Sequence, residues 1–213
     1  MSAAFVREMS KRVGYVLVGM ALSIVLVAIP LFVRSMKPKV PSIKANSPRA
    51  RGPIDAPIQI IEYSDFQCPA CRLAQASLAL LLARHPGKIR LVFQHFPLEG
   101  HAWSHAAHQA AECAADQNRF WIYHDRLYEN QMNWSKSTEL PITILLEMAT
   151  EAGMDLDTFA RCLTDPKVAA RINGEGMAGK DLGVRSTPSF FVNGEMVVGV
   201  QGLEEKVEKL LKQ

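Results

Sequence analysis

The chain has 213 residues, 48% of them hydrophobic and 21% charged, which excludes a disordered chain, while 13 Gly and 12 Pro exclude a fibrous one. Its formal net charge of +3 joins two unlike parts: residues 1–52 hold nine basic residues and one acid (Glu8), +8, and residues 53–213 hold fifteen and twenty, −5. An acidic bulk behind a basic end excludes a basic nucleic-acid-binding domain.

Residues 1–12 form a short basic flank with Arg7, Lys11 and Arg12. Val13 to Val33 follow, 21 residues without a formal charge. At about 1.5 Å per residue they span roughly 30 Å, the thickness of a hydrocarbon core. The run exceeds the usual signal-peptide core of about 7–15 residues, and no small-x-small cleavage site follows it. Residues 13–33 therefore read as an uncleaved transmembrane anchor in contact with lipid, with a cleaved signal peptide as the alternative. Arg34, Lys37, Lys39 and Lys44 come directly after the span, so basic residues on both flanks do not orient it. Residues 34–57 contain five prolines and six basic residues, the composition of an extended tether, with the linker placed at 34–52 and the folded part at 53–213.

Ile58–Tyr63 (IQIIEY) reads as a buried strand. It meets Cys68-Pro69-Ala70-Cys71, after which Leu73, Leu78, Leu81 and Leu82 recur at helical spacing until His85-Pro86-Gly87 stops them. Ile89–Phe96 is a second strand. Helical signals run from His101 to about Gly183, with breaks near 130–136, Gly153 and Asp165-Pro166. Ser189–Asn193 and Glu195–Val200 flank Asn193-Gly194, a strong hairpin signal. Leu203–Leu211 closes the chain as an amphipathic helix. This order predicts an α/β layer with one large helical excursion.

Four cysteines are too few for a miniprotein built on disulfides and enough for a site. Cys68 and Cys71 sit where a strand turns into a helix. Pro69 suits the first helical position, where its missing N–H costs nothing. Cys68 then lies at the helix N-terminus, where free N–H groups and the macrodipole favour a thiolate. Two intervening residues let the pair close a small disulfide, with Cys68 exposed and Cys71 covered. Half a zinc site, a structural disulfide and coincidence are the other readings. Zinc wants a second Cys or His pair at short spacing, which Cys113 and Cys162 do not supply, so the junction favours redox use.

Two features converge on the pair. Glu62 is an acid within an apolar strand, six residues before Cys68. If buried, it has a raised pKa and a proton to exchange with Cys71; at a sheet edge it is only solvated. Thr187-Pro188 precedes the hairpin. Proline at a strand start is normally trans, only about 5–6% of X–Pro bonds being cis. A cis bond there would present the Thr187 backbone to a peptide and keep competing N–H groups from the sulfurs.

IEYSDFQCPAC, the GVRSTP segment before the last strands and the FFVNGEMVVG hairpin together resemble the DsbA-like branch of the thioredoxin superfamily over about residues 53–213. The resemblance implies an α/β thioredoxin fold with an inserted helical domain at about 101–183, here preceded by a single N-terminal transmembrane helix. It implies Cys68 as the nucleophile, Cys71 as the resolving cysteine, Glu62 as the buried acid and Thr187-Pro188 as the cis-proline loop. Substrate would meet Thr187, Pro188, Pro69 and Ala70. The implied activity is disulfide exchange with cysteine-containing extracytoplasmic proteins, with no cofactor beyond the Cys68–Cys71 disulfide. A quinone-linked membrane partner would re-oxidise it, or a reductant would serve the reverse direction. The implied location is the cytoplasmic membrane, with the catalytic domain facing the periplasm or cell exterior. Pro69-Ala70 departs from the Pro-His of strongly oxidising members, which removes one stabiliser of the Cys68 thiolate. A reductase or isomerase of the same fold is the alternative direction. A tethered copper- or zinc-binding module, with a histidine beside the two cysteines, is the alternative of another class.

Cys113 and Cys162 fall on predicted helices of the insertion, where a structural disulfide would close a loop of roughly fifty residues. His101, His105 and His108 recur at the spacing of one helical face, with Glu112 beyond. Three along one helix do not converge on one ion, so they read as surface or packing residues rather than a metal site. Phe120, Trp121, Tyr123, Leu127 and Tyr128 read as a core stripe. Lys206, Lys209 and Lys212 with Glu204, Glu205 and Glu208 read as a solvated face.

Overall fold

The computed structural model describes residues 41 and 47–212. Within them the β-branched run of Ile58–Ser64 forms β2, and the leucine-spaced segment Pro69–Arg84 forms α1, which crosses over to β3 at Ile89–His95. β2 and β3 pair in parallel, Ile58 opposite Ile89 and Ser64 opposite His95. The hairpin strands β4 (Ser189–Val192) and β5 (Glu195–Val198) then add on the far side, β4 antiparallel to β2. Asn193 and Gly194 both take positive φ, 47° and 87°, the backbone that an Asn-Gly hairpin turn requires. With β1 a two-residue strand at Ala50–Arg51, the sheet order is β1-β3-β2-β4-β5.

Alternation along β2 divides its side chains between two faces. Ile58 and Ile60 pack with Leu78 and Leu81 of α1 and with Leu203 and Val207 of the last helix, α8 (Gly199–Leu211). Ile61 and Tyr63 pack on the other face with Phe96, Val184 and Phe191. Between β3 and β4 the chain forms six helices: α2 (Ser104–Asp116), α3 (Phe120–Glu129), α4 (Gln131–Trp134), α5 (Ile142–Glu151), α6 (Leu156–Leu163) and α7 (Pro166–Asp181). They supply most of the largest core cluster, which also takes in Phe66, Phe93, Cys68 and Cys71. Cys68 and Cys71 thus lie at the seam between sheet and insertion. Gly179 explains one glycine inside α7: a Cβ there would stand 2.8 Å from the Tyr63 ring and 2.9 Å from Phe96, so only a bare backbone lets α7 seat on the sheet.

The predicted order of elements stands, with local corrections. Ala50 and Arg51, assigned by composition to the linker, form β1 antiparallel to β3, Ala50 opposite Val92. A two-residue strand has no periodicity to read, and it forms because β3 offers it an edge. His101 precedes the helix that begins at Ser104, so it does not share a helical face with His105 and His108. The insertion also breaks at 117–119, where Asn118 takes φ 58°, and α8 begins at Gly199 rather than Leu203. Lys206 is tied to Glu195 rather than free in solvent. The expected anchor at 13–33 lies outside the described residues; among those described, no helix is long and apolar enough to cross a membrane.

Cys113 of α2 and Cys162 of α6 are joined as a disulfide, with Cα atoms 5.7 Å apart and 49 residues of separation. In the chain-entropy treatment a loop of that length is worth about 4 kcal/mol. The double substitution Cys113→Ala/Cys162→Ala should lower the unfolding free energy by about that amount in urea titration, while leaving the Cys68–Cys71 couple in place.

Candidate active site

Cys68 is the N-cap of α1, in extended backbone (φ −74°, ψ 122°), with Pro69 in the first turn as expected. Both sulfurs are thiols in this structure. Cys71 is wholly covered and Cys68 keeps only 7% of its surface exposed, far less than an open nucleophile. Its cover comes from the Thr187-Pro188 loop and the insertion core, neither of which is visible in the local sequence. Pro69 and Ala70, by contrast, are exposed beside it. The Cys68 thiol is brought down to about 5, first by the hydrogen bond from the Cys71 side chain and then by Thr187 and the N–H groups of Cys71 and Ala70, against burial, which pushes it up. Cys71 moves the other way: burial first, then the Cys68 charge, raise it well above an ordinary thiol. One sulfur is made to ionise and its neighbour to stay protonated.

The Thr187-Pro188 peptide bond is cis. The Thr187 carbonyl accepts from the Cys68 thiol at 3.6 Å, and its hydroxyl is buried without a hydrogen-bond partner. Proline contributes no N–H, so the loop faces the sulfurs with a carbonyl and a hydroxyl.

Glu62 lies on β2, the central strand, and is fully buried rather than at an edge. Burial raises its carboxyl to about 7, opposed by Ser64 and Gln75 and weakly by Arg51. Gln75, one helical turn after Cys71, donates from Nε2 to Glu62 Oε1 at 3.0 Å and to the Cys71 carbonyl at 3.4 Å. Glu62 Oε2 has no hydrogen-bond partner. Gln75 also lines a cleft of about 350 Å³ with Arg51, Arg72, Asp125 and Tyr128. No hydrogen bond joins Glu62 directly to Cys71.

Several residues of the site went unread in the sequence. Asp65, fully buried three positions before Cys68, accepts four hydrogen bonds: from the Gln67 N–H (2.7 Å), the Leu98 N–H (2.8 Å), His101 Nδ1 (2.8 Å) and Ser104 Oγ (2.9 Å). Its own N–H donates to Cys71 Sγ at 3.5 Å. Gln131 donates to the Phe66 and Cys68 carbonyls at 2.7 and 2.9 Å. Tyr128 Oη stands 3.0 Å from Ser64 Oγ. The Asp-x-Gln turn was the available signal for Asp65; nothing local marks partners more than thirty residues away.

The histidines serve packing and hydrogen bonding. His108 is fully buried, its Nδ1 2.6 Å from His95 Nδ1, and His95 Nε2 is 3.0 Å from Glu112 Oε2. Burial pushes His95 down to about 3 and His108 well below its usual range. Both are neutral, so His95 donates from Nε2 to Glu112 and accepts at Nδ1 from His108. Among the described residues no group of three or more His, Cys, Asp or Glu is disposed to hold a metal ion.

A Cys-x-x-Cys at a helix N-terminus, directly against a cis-proline loop on a five-stranded α/β sheet, defines a dithiol–disulfide exchange site. The family model described as thioredoxin matches residues 44–213. A probable disulfide bond formation protein D of Bacillus anthracis is 31% identical over 176 residues, covering 78% of this chain and 80% of that protein. The chain belongs to the thioredoxin family, in its DsbA-like branch of thiol:disulfide oxidoreductases. The crystal structure of BdbD from Bacillus subtilis superposes with a TM-score of 0.69 over 82% of this chain and 97% of that one; at 22% identity it shares the fold. A Na(+)/H(+) antiporter NhaA 3 of Salinispora tropica is 38% identical over 155 residues, and there the chain spans only 23% of the relative's length.

Glu62 gives a stability test. Its carboxyl binds a proton more tightly folded (about 7) than at the ordinary 4.5, so its contribution is fully present below about 4.5 and is lost as pH rises through about 7. At about 1.4 kcal/mol per pH unit the loss approaches 3 kcal/mol. Measured by urea unfolding of the oxidised form, where neither site sulfur titrates, Glu62→Gln should gain on the unsubstituted protein by about that much between pH ~5 and ~8.5. A difference independent of pH would refute the buried-acid assignment.

Proposed function

We propose that this DsbA-like protein works as an oxidant, introducing disulfides into extracytoplasmic proteins while held to the membrane by an anchor formed by residues 13–33. A substrate thiolate attacks Cys68 of the Cys68–Cys71 disulfide and expels Cys71. A second substrate thiolate then releases the oxidised substrate, leaving Cys68 and Cys71 reduced. Glu62 supplies and recovers the Cys71 proton. Thr187-Pro188 holds the substrate backbone, and the exposed Pro69 and Ala70 border the groove. A quinone-linked membrane partner restores the disulfide, and no further cofactor is needed.

The opposite pKa shifts of the two cysteines carry this reading. At pH 7 a nucleophile ionising at about 5 instead of 9 favours the reduced site about 100-fold, which raises its reduction potential by about 60 mV at ~30 mV per tenfold. Thiolate stabilisation therefore comes from the Cys71 side chain and the first turn of α1 without the histidine that Ala70 replaces. The extracytoplasmic location is supported by the Bacillus relatives and by the Cys113–Cys162 disulfide, since such bonds persist in oxidising compartments. The same site run backwards is a reductase.

Redox titration of the full chain against glutathione separates the directions. A potential above about −180 mV is expected; one near −270 mV, the range of thioredoxin, assigns the protein to reduction instead. Cys68→Ser should abolish oxidation of a dithiol peptide, and activity surviving that change would sink the mechanism.

A further inference from the structure

The register of the sheet leaves two main-chain groups without the partners it would give them. Even-numbered residues of β2 turn their main-chain groups toward β3, as the Ser64 carbonyl does in accepting from the Phe96 N–H at 3.0 Å. Odd-numbered ones turn toward β4: the Gln59 carbonyl accepts from the Asn193 N–H at 2.9 Å. That pairing continues through Ile61 opposite Phe191 to Tyr63 opposite Ser189, and there it ends. One step further, the ladder would join the Asp65 N–H to the Thr187 carbonyl. Instead the two groups part. The Asp65 N–H donates to Cys71 Sγ at 3.5 Å, and the Thr187 carbonyl accepts from the Cys68 thiol at 3.6 Å. The two sulfurs thus take the donor and the acceptor of one missing rung.

We propose that the Asp65 carboxylate keeps its own main-chain N–H aimed at the Cys71 sulfur, so that this N–H stabilises the thiolate that leaves when a substrate opens the disulfide. This rests on the oxidoreductase reading above. A substrate thiolate bonds to Cys68 Sγ, the Cys68–Cys71 bond breaks, and its electron pair stays on Cys71. The substrate sulfur is oxidised and Cys71 reduced. The Asp65 N–H donates a hydrogen bond to the new anion and gives up no proton, so the sulfur is held until its proton arrives. When the disulfide re-forms, the same N–H meets Cys71 as the attacking thiolate.

Both sulfurs are thiols in this structure, so the surroundings of Cys71 are those the departing sulfur meets. Asp65 and Cys71 are both fully covered, and bulk water does not replace a donor lost from that sulfur. Burial raises the Cys71 thiol, and the Asp65 N–H works against it. A carboxylate only accepts, with about four lone-pair sites. Here Oδ1 takes the Gln67 N–H and the Ser104 hydroxyl, and Oδ2 takes the Leu98 N–H and His101 Nδ1. The Asp65 carbonyl accepts from the Cys68 N–H at 3.1 Å, and the Ser64 carbonyl is tied to Phe96. The peptide plane between Ser64 and Asp65 is therefore fixed from both sides. A negative charge beside a thiolate opposes it, so the carboxylate helps the reaction by position rather than by charge. Its N–H touches the reacting atom; the carboxylate is the positioning group.

The test is the rate at which dithiothreitol opens the Cys68–Cys71 disulfide of the full chain, followed by acid quench and mass analysis. A hydrogen bond to a buried anion is worth about tenfold or more. Asp65→Asn, which sets an amide NH2 against donors, should slow opening by about that factor. Asp65→Glu, which keeps the charge but reaches further, should slow it too. A faster Asp65→Asn beside an unchanged Asp65→Glu is the result of charge alone and overturns the proposal. The control is a step in which Cys71 takes no part. With Cys71→Ser, dithiothreitol cleaves a glutathione mixed disulfide on Cys68, and adding Asp65→Asn should leave that rate unchanged. Equal slowing there marks a general loosening of the loop and overturns the proposal, as do unsubstituted opening rates in both variants. Should neither variant fold, the amide proton resonance of Asp65 in the reduced chain decides: Cys71→Ala should move it upfield, and an unmoved resonance overturns the hydrogen bond. Opening of the unsubstituted site no faster than that of Cys113–Cys162 sinks the oxidoreductase reading, and the proposal with it.

Discussion

Two sulfurs separated by two residues must hold different protons, and the rest of the site is built around that constraint. Cys68 is stabilised as an anion by groups at the start of α1, while Cys71, one turn further, is wholly covered. The cover is the important part. Without it Cys71 would lose the largest cause of its raised pKa, and the hydrogen bond from Cys71 to Cys68, the largest influence on the Cys68 thiol, would be shared with water. The inserted helices are therefore more than an appendage: their core encloses both cysteines together with Phe66 and Phe93.

Asp65 extends the same logic to geometry. Its carboxylate collects donors from the active-site loop (Gln67), from the segment after β3 (Leu98 and His101) and from the first insertion helix (Ser104). Removing the carboxylate would strand several buried donors at once, each costing about 1–3 kcal/mol. The loop carrying Cys68 and the start of the insertion are thus fixed by one side chain. Beyond it, the neutral pair His108 and His95 continues the hydrogen bonds to Glu112 without placing further charge in the core.

The parts legible in the sequence were those written in local pattern. The strand IQIIEY, the cysteines at its junction with a leucine-spaced helix and the Asn-Gly turn each depend on neighbours a few residues apart, and they landed within a residue or two. The roles of Cys113 and Cys162 needed only parity and placement on helices. Asp65 and Ser64 escaped because their partners lie far along the chain, 36 residues away for His101 and 64 for Tyr128. The burial of Cys68 escaped for the same reason. The regular spacing of the histidines matches one helical face in the sequence alone, whereas the chain at His101 is still bound to Asp65 and turns helical only at Ser104.

The charge division of the chain also changes meaning. Arg49 and Arg51 were counted with the basic end, but both belong to the fold. Arg51 lies over the Trp121 ring at 3.6 Å and pairs with Asp125 at 3.1 Å. Arg49 joins Glu175, 2.7 Å through one nitrogen, and Glu112 at 3.3 Å. Its hydrogen bond and charge help to hold Glu175 below the usual carboxylate range although burial pushes that group up. Counting the two arginines with the domain takes its formal charge from −5 to −3. Glu112 and Glu175 also face His95, which burial keeps neutral, so Arg49 supplies charge that the histidine cannot. Breaking a buried ion pair by removing one partner costs about 3–5 kcal/mol. The folding unit therefore begins before Arg49, and a domain cut at Pro53 would lose both β1 and a cation on which two largely covered carboxylates depend.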